Sequence, residues 1–404
     1  MTEQVTPSPR APVQIDTDIF GGDPHGVLAG LRKDHAAVQT APRQYLVLRG
    51  EDVVSLLGDP SILQCPGPDY VEMKRVPEGF TARLLRDFFL LSNGEVHRQK
   101  RGMFARSFGH RLMQQSRPIV RDVANRIVAD LPRGETFDFV EHMASLVPAH
   151  MIAAILGLPR VDTRYFTRCV YDISQAVDPV YPHHLHDRIE NATGELFDYV
   201  DDQLKARLTR PREDLLSMLV SNWQEEPKLN FESLIFQVLG MIVAASDTTR
   251  SGFAMLVALL LESGDWSEVR ADPALIPGAV NESLRYEPAV GSIPRFASVP
   301  VTIGDSVLPT GSMLRLSTMS AMRDPAIYRD PTRFDIRRND HPKLHMVFGR
   351  GPHRCIGEML ARIEMEEGLA ALLDAAPTLR LEKMPELVGY GGLRRVTPMP
   401  TTII

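Results

Sequence analysis

Apolar residues recur at helical spacing over most of the first 290 positions. The clearest stretches are Arg117–Leu131, Ile189–Leu208 and Phe231–Glu262. Two stretches read as strands instead. Gln44–Leu48 alternates, and Val299–Leu316 carries turn signals at Gly304–Asp305 and Pro309–Thr310–Gly311, which predicts a small antiparallel hairpin. The pattern is a large helical body with a minor sheet, not alternating strand–helix units. Phe231–Glu262 is apolar on nearly every face, so it is expected to be a central helix buried on all sides. Asn230 can cap its start and Gly264 can stop it. A carboxylate and hydroxyls at Ser246-Asp247-Thr248-Thr249 sit in its middle: either Thr248 bonds back to a carbonyl one turn earlier and Asp247 finds an arginine, or they serve a function.

The chain has 404 residues, 44% hydrophobic and 24% charged. A soft prior of roughly 150 residues per domain suggests two or three domains. The formal charge of −6 gives no reason to expect nucleic acid or an anionic membrane as partner. The segment Met1–Val13 is polar and proline-rich, without the apolar core of a secretory leader. The longest nearly apolar runs, Ile235–Ser246 and Phe253–Leu261, fall short of the ~18–20 residues that span a bilayer. No membrane anchor is expected. Three cysteines, Cys65, Cys169 and Cys355, cannot form a disulfide framework, which suits a reducing cytoplasm.

The most informative stretch runs from His345 to Gly357. Its Gly349-Arg350-Gly351 lacks the third glycine of a dinucleotide fingerprint, because Arg354 stands there. His353 and Cys355 have no second pair at zinc-finger spacing. A buried structural cysteine is the ordinary fate of a lone Cys. Against it, Cys355 is expected to open an apolar helix, Cys355–Leu373, where free N–H groups lower a thiol pKa. Flanking glycines let backbone approach a flat ligand, and Arg350, His353 and Arg354 add positive charge. A thiolate held against something planar and anionic fits these residues.

Phe348-Gly349-x-Gly351-x-His353-x-Cys355-x-Gly357 resembles the haem-binding loop of the cytochrome P450 family, whose cysteine thiolate is the axial iron ligand. Other motifs follow in the family's order. Glu282-Ser283-Leu284-Arg285 is similar to its Glu-x-x-Arg, and Pro331-Thr332-Arg333-Phe334 to the loop whose arginine completes that buried network. Ala244-Ala245-Ser246-Asp247-Thr248 resembles the oxygen-binding groove, with Ala245 where the family usually has glycine. The resemblance implies that Asp247 and Thr248 relay protons. It implies that His97, Arg101, Arg295 and His353 hold the propionates of haem b, with Phe348 and Gly349 shaping the loop.

Further implications concern architecture and substrate. The fold class is mainly α with minor β-sheets, as one domain over residues 23–404, preceded by a flexible segment 1–22. The pocket candidates Phe88, Val243, Ala244, Val290, Ile293 and Leu393 imply a small-to-medium hydrophobic substrate. Arg75, Arg83, Arg86 and Arg394 lie near these segments and either meet an acidic group or are simply exposed. The cluster His183-His184-x-His186 reads as a solvated loop. No flavin, nicotinamide or iron–sulfur motif is present. Electrons are therefore expected from a ferredoxin or flavodoxin with its NAD(P)H-dependent reductase, docking on Arg98, Lys100, Arg350 and Arg354. The implied activity is O2-dependent monooxygenation (hydroxylation, demethylation or epoxidation) by a cytoplasmic monomer. Two alternatives keep the haem: a peroxide-driven peroxygenase and a non-catalytic ligand-binding protein. The Asp247–Thr248 pair argues against both.

Overall fold

The computed structural model describes all residues except 1–10, 106–109, 160–162, 179 and 226–228. The central helix runs from Phe231 to Ser263. The Asn230 side chain accepts from the Ser233 N–H at its start, and Gly264 leaves it in the left-handed conformation. Its 33 residues span about 50 Å at 1.5 Å each. By length and composition it is apolar enough to cross a membrane, and 67% of its most apolar window is buried inside the protein. Helices Thr163–Ser174, His186–Thr209 and Ile276–Tyr286 pack on it, as does a cysteine-side helix, Glu358–Ala375. The last of these also lies along helix His110–Ala129.

The largest sheet has five strands in the order Ala37–Ala41, Gln44–Val47, Met313–Ser317, Ser292–Ala297, Ile62–Leu63. It is antiparallel except where Gln44–Val47 meets Met313–Ser317. The expected hairpin is smaller than its sequence range. Val301–Ile303 pairs with Ser306–Leu308, and Pro309 to Gly311 then hands the chain to the larger sheet. The second half of Val299–Leu316 leads into Met313–Ser317, an inner strand of that sheet in which every residue but Arg315 is buried, and does not belong to the hairpin.

Two other expectations change. The segment 1–22 is not uniformly loose. Residues 1–10 lie outside the described residues, but Val13 and Ile15 exchange main-chain hydrogen bonds with Gln39, and Thr17–Gly21 forms a 3-10 turn that buries Phe20. The cysteine-side helix begins at Glu358, not Cys355, with Gly357 as its cap. Gly349 and Gly351, both at positive φ, together with Pro352 keep the preceding loop from joining it.

Candidate active site

One cavity lies between the central helix and the cysteine loop. Ala244, Ala245, Thr248 and Thr249 line one wall, and Phe348, Cys355, Ile356 and Gly357 the other. Phe88, Phe89, Leu284, Ala289 and Val290 close its sides. The loop is shaped by backbone. The Cys355 N–H donates to the Phe348 carbonyl at 2.8 Å, and Gly349 takes φ +69°, a conformation L side chains rarely adopt. Arg354 Nη1 donates to the Gly349 carbonyl at 2.9 Å and its Nη2 pairs with Glu358.

Cys355 is exposed to this cavity while protein crowds it from behind. Burial pushes its thiol pKa up, with Glu358 adding to the rise. The Gly357 N–H, Arg101 and Arg354 pull the other way and are outweighed. The expected lowering by a helix N-terminus fails because the helix starts three residues later. Such a cysteine is a poor free nucleophile, but a coordinated metal would remove its proton outright.

The rim beside the loop is positive and short of acids. His97 is 2% exposed and its ring lies 4.1 Å from that of His353, tilted by 39°. His97 Nε2 and His353 Nδ1 are both buried without a hydrogen-bond partner. Burial, then Arg101, pushes the His97 pKa down to about 4. Burial, then His97, Arg295 and Arg101, pushes that of His353 down to about 3. Arg295 is buried and donates to Gln64 Oε1 at 2.6 Å and to its neighbour's carbonyl, with no carboxylate paired to it among the described residues. Burial lowers its pKa to about 10. Arg101 donates to the Arg354 carbonyl at 2.6 Å. Orphaned buried nitrogens beside an unpaired guanidinium are costly unless an anion completes them. The carboxylates of a haem fit that requirement.

Asp247 and Thr248 part company. Thr248 faces the cavity and its hydroxyl donates back to Ala244 at 3.4 Å. Asp247 is buried on the other side of the helix. Arg250 pairs with it, Ser174 donates to it at 3.0 Å, and Arg395 stands 3.6 Å away. They are neighbours in sequence but separated by the helical turn.

The buried network also differs from expectation. Glu282 and Arg285 are fully buried and joined by two bonds of 2.7 Å. Arg285 also donates to the carbonyls of Met322, Pro331 and Arg333. The second arginine on Glu282 is Arg338, at 3.1 Å, and not Arg333. The Arg333 side chain is exposed and contributes only its main-chain carbonyl. Both arginines lie in one irregular loop, and its turns decide which side chain points inward.

Of the pocket candidates, Phe88, Ala244 and Val290 line the cavity. Phe88 fills the notch left by Gly240, where a Cβ would meet its ring at 2.3 Å. Val243 packs into the core instead, Ile293 turns toward Gly349 and the sheet-side core, and Leu393 bridges Val290 from behind. The expected docking patch shrinks. Lys100 is buried against Asp87 at 2.6 Å and Arg354 is tied to its own loop, which leaves Arg98 and Arg350. Arg83, Arg86 and Arg394 are paired with Glu232, Glu78 and Glu287. The histidines at 183, 184 and 186 form no metal set, and among the described residues no such cluster occurs.

Sequence reasoning missed Glu364, which lines the cavity floor. Its Oε1 is buried without a hydrogen-bond partner, and burial raises its carboxyl pKa well above the usual range against the opposite pull of Thr249. It sits in the run Glu364-Met365-Glu366-Glu367, which reads as a solvated face. Its helical offset from Glu366 and Glu367, which pair with Arg117, was the available signal.

A family model described as Cytochrome P450 matches residues 270–375. The plant-inducible cytochrome P450-pinF1 of Rhizobium radiobacter is 36% identical over 96% of this chain and 93% of its own. This chain belongs to the cytochrome P450 family. A mycinamicin IV hydroxylase/epoxidase of Micromonospora griseorubida is 30% identical over 83% of each. The P450 enzyme CxnD, described as acting in C–S bond formation in chuangxinmycin biosynthesis, superposes with a TM-score of 0.85 at 27% identity, covering 97% of both chains. As a P450 the chain is an oxidoreductase of the monooxygenase class with a haem cofactor, mainly helical in fold, and such bacterial enzymes use redox partners and organic substrates.

Proposed function

We propose that this P450 binds haem b through Cys355 and inserts one oxygen atom from O2 into a small-to-medium hydrophobic molecule by hydroxylation, demethylation or epoxidation. The observation that carries the reading is the pairing of one cavity with two unlike walls. A cysteine loop with an anion-hungry rim faces a largely apolar helix that carries the Thr248 hydroxyl. When bound, the haem would supply the iron at which dioxygen is reduced and split.

Each residue has a task in this scheme. Cys355 would offer its sulfur to the iron, and the Gly357 N–H beside it would temper that sulfur's charge. His97, Arg101, Arg295 and His353 would hold the two propionates by charge-assisted bonds. Phe348 and Gly349 shape the loop beneath. Phe88, Ala244 and Val290 keep the chamber apolar, so that protons enter only by an ordered route. Thr248 holds a proton at its hydroxyl inside the chamber. Asp247 collects protons on the outer side, through Ser174, and must turn to hand them on. Glu282, Arg285 and Arg338 keep the loop in register. The electrons come from a ferredoxin or flavodoxin and its NAD(P)H-dependent reductase, in the cytoplasm, with the chain acting as a monomer.

The test is Cys355→Ser in the purified protein. Wild type is expected to give the thiolate signature in its ferrous–CO spectrum, and the variant to lack it. Retention of the signature by the variant would refute the ligand assignment. The peroxide-driven alternative draws on Asp247 facing away from the cavity. Product formation with peroxide that matches the rate with ferredoxin and NAD(P)H would favour it.

A further inference from the structure

A second cavity, of about 400 Å³, lies over the open face of the five-stranded sheet. The register explains its lining. Pro294 pairs with Arg315, and Phe296 with Met313, so these four side chains share one face. Gln44 pairs with Met313 from the neighbouring strand. All five line the cavity, opposite Tyr70, Lys74 and Arg75.

Its chemistry is lopsided. The lining holds Lys74, Arg75 and Arg315 and no aspartate or glutamate. Arg315 is half-buried, yet no hydrogen bond or ion pair of its guanidinium occurs among the described residues. Arg49 and Arg350 are likewise half-buried without such a bond among the described residues, but neither lines this cavity. Arg394, close by, donates to Glu287 and to the carbonyls of Pro288, Leu387 and Gly389. Arg285 is held as fully. Those two guanidiniums are saturated by protein, whereas Arg315 lines a cavity with no such partner. The Tyr70 hydroxyl and the Gln44 carboxamide face the same space.

Like charges reinforce the point. Burial, then the charge of Arg315, lowers the Lys74 pKa to about 8 against the opposite pull of Asp178 and Cys65, so the two cations feel each other across the cavity. The nearby carboxylate of Asp178 pairs with Arg395 at 2.5 Å, while Lys74 donates to the Asp178 main-chain carbonyl. Converging desolvated cations in a lining without an acid form an electrostatic trap for an anion. Met73, Val177, Val180 and Phe296 add apolar surface beside the polar Gln64 and His183, with Met73, Val177 and Val180 exposed at an open edge, which suits an anion carried on a molecule with an apolar part.

The cavity also adjoins the chamber above Cys355. Val290, which lines that chamber, forms an antiparallel bridge with Leu393, and the adjacent residue, Gly392, lines this cavity. Gly291 and Gly392 are joined there by a 2.8 Å main-chain bond, so a single layer of hydrogen-bonded backbone separates the two spaces. From this placement we infer that the substrate is an organic acid whose carboxylate pairs with Arg315, while its apolar body reaches around the Gly291–Gly392 backbone toward the oxidation chamber. A planar guanidinium matches a carboxylate in two parallel bonds, and Tyr70 supplies a third donor.

This inference rests on the monooxygenase reading but fails separately from it. The test uses haem-loaded protein with matched probes: dodecanoic acid and 4-butylbenzoic acid, each beside its primary amide, with dodecyl phosphate as a third arm. Binding is followed by the haem spin-state change and by calorimetry. At least one acid should bind about 10- to 100-fold more tightly than its amide, the range of a charged hydrogen-bonded contact. Arg315→Gln should erase that preference and leave the amide within about twofold, since only the charged contact is removed. Equal affinity for acid and amide, or an unchanged acid preference in Arg315→Gln, overturns the inference. Tighter binding of dodecyl phosphate with the same Arg315 dependence overturns the choice of carboxylate. If Arg315→Gln does not take up haem, Tyr70→Phe decides: a weakened acid preference supports the site and an unweakened one refutes it. A wild-type ferrous–CO spectrum without the thiolate signature would instead refute the monooxygenase reading.

Discussion

Replacing Arg338 by alanine tests the buried network directly, because the sequence motif points to Arg333 instead. The Arg338 side chain is 5% exposed. It donates to Glu282 at 3.1 Å, to the carbonyls of Arg329, Asp330 and Arg333, and to Asp340. Its removal leaves Glu282 with both Arg285 bonds and the Asp335 N–H at 2.9 Å. Glu282 is therefore not stranded, and the loss falls below the ~3–5 kcal/mol of breaking a buried pair outright. One charge-assisted bond is worth roughly 1.5–3 kcal/mol, and the freed loop carbonyls can reach water at little further cost. The expected destabilisation is about 2–3 kcal/mol. Arg333→Ala retains the carbonyl that Arg285 uses and removes an exposed side chain, so about 0.5 kcal/mol or less is expected. Urea denaturation followed by far-UV circular dichroism, at equal haem loading, measures both. An Arg333→Ala loss equal to or larger than that of Arg338→Ala would refute the placement.

Other substitutions have equally defined outcomes. Burial opposes ionisation of Glu287, but its bond to His25 and the charge of Arg394 win and hold its pKa at about 2. A lowered carboxyl pKa stabilises the fold above the unfolded value near 4.5 and loses that contribution as pH falls toward 2. Stability of Glu287→Gln should therefore depend less on pH between about 4.5 and 2 than wild type, read from urea midpoints; an identical acid slope would refute this. Thr248→Ala should keep substrate binding and NAD(P)H consumption while product per electron falls several-fold, and unchanged coupling would remove Thr248 from the relay. Charge reversal of Arg98 and Arg350 together should slow reduction by a ferredoxin and flatten its salt dependence. Lys100→Gln should mainly cost stability, because Lys100 is buried against Asp87.

The features legible in the sequence are those set by local backbone chemistry. Asn230 and Gly264 marked the ends of the central helix because caps act within a few residues. Gly349 and Gly351 marked the loop because their φ values bar other residues. The failures share a physical cause: they depend on which way a side chain turns. The arginines at 333 and 338 are alike in sequence and opposite in burial. Lys100 lies in a charged run yet points inward, and Glu364 does the same in an acidic one. Asp247 and Thr248 look like a pair until the helix puts them on different faces. Arg315 alternates with apolar strand neighbours and carries no local sign that its cavity lacks an acid.

The guanidinium of Arg285 has a consequence for how this protein opens and closes. Residues 322–345 contain neither helix nor strand. A segment of that kind ordinarily exchanges its amide hydrogens early, through small local openings. Here one buried cation gathers the carbonyls at 322, 331 and 333 around a fully enclosed carboxylate. No short piece can lift away without wetting that pair. The segment is thereby tied to the slowest-opening part of the molecule, and the stretch leading into the cysteine loop shares the lifetime of the central helix rather than that of a surface turn.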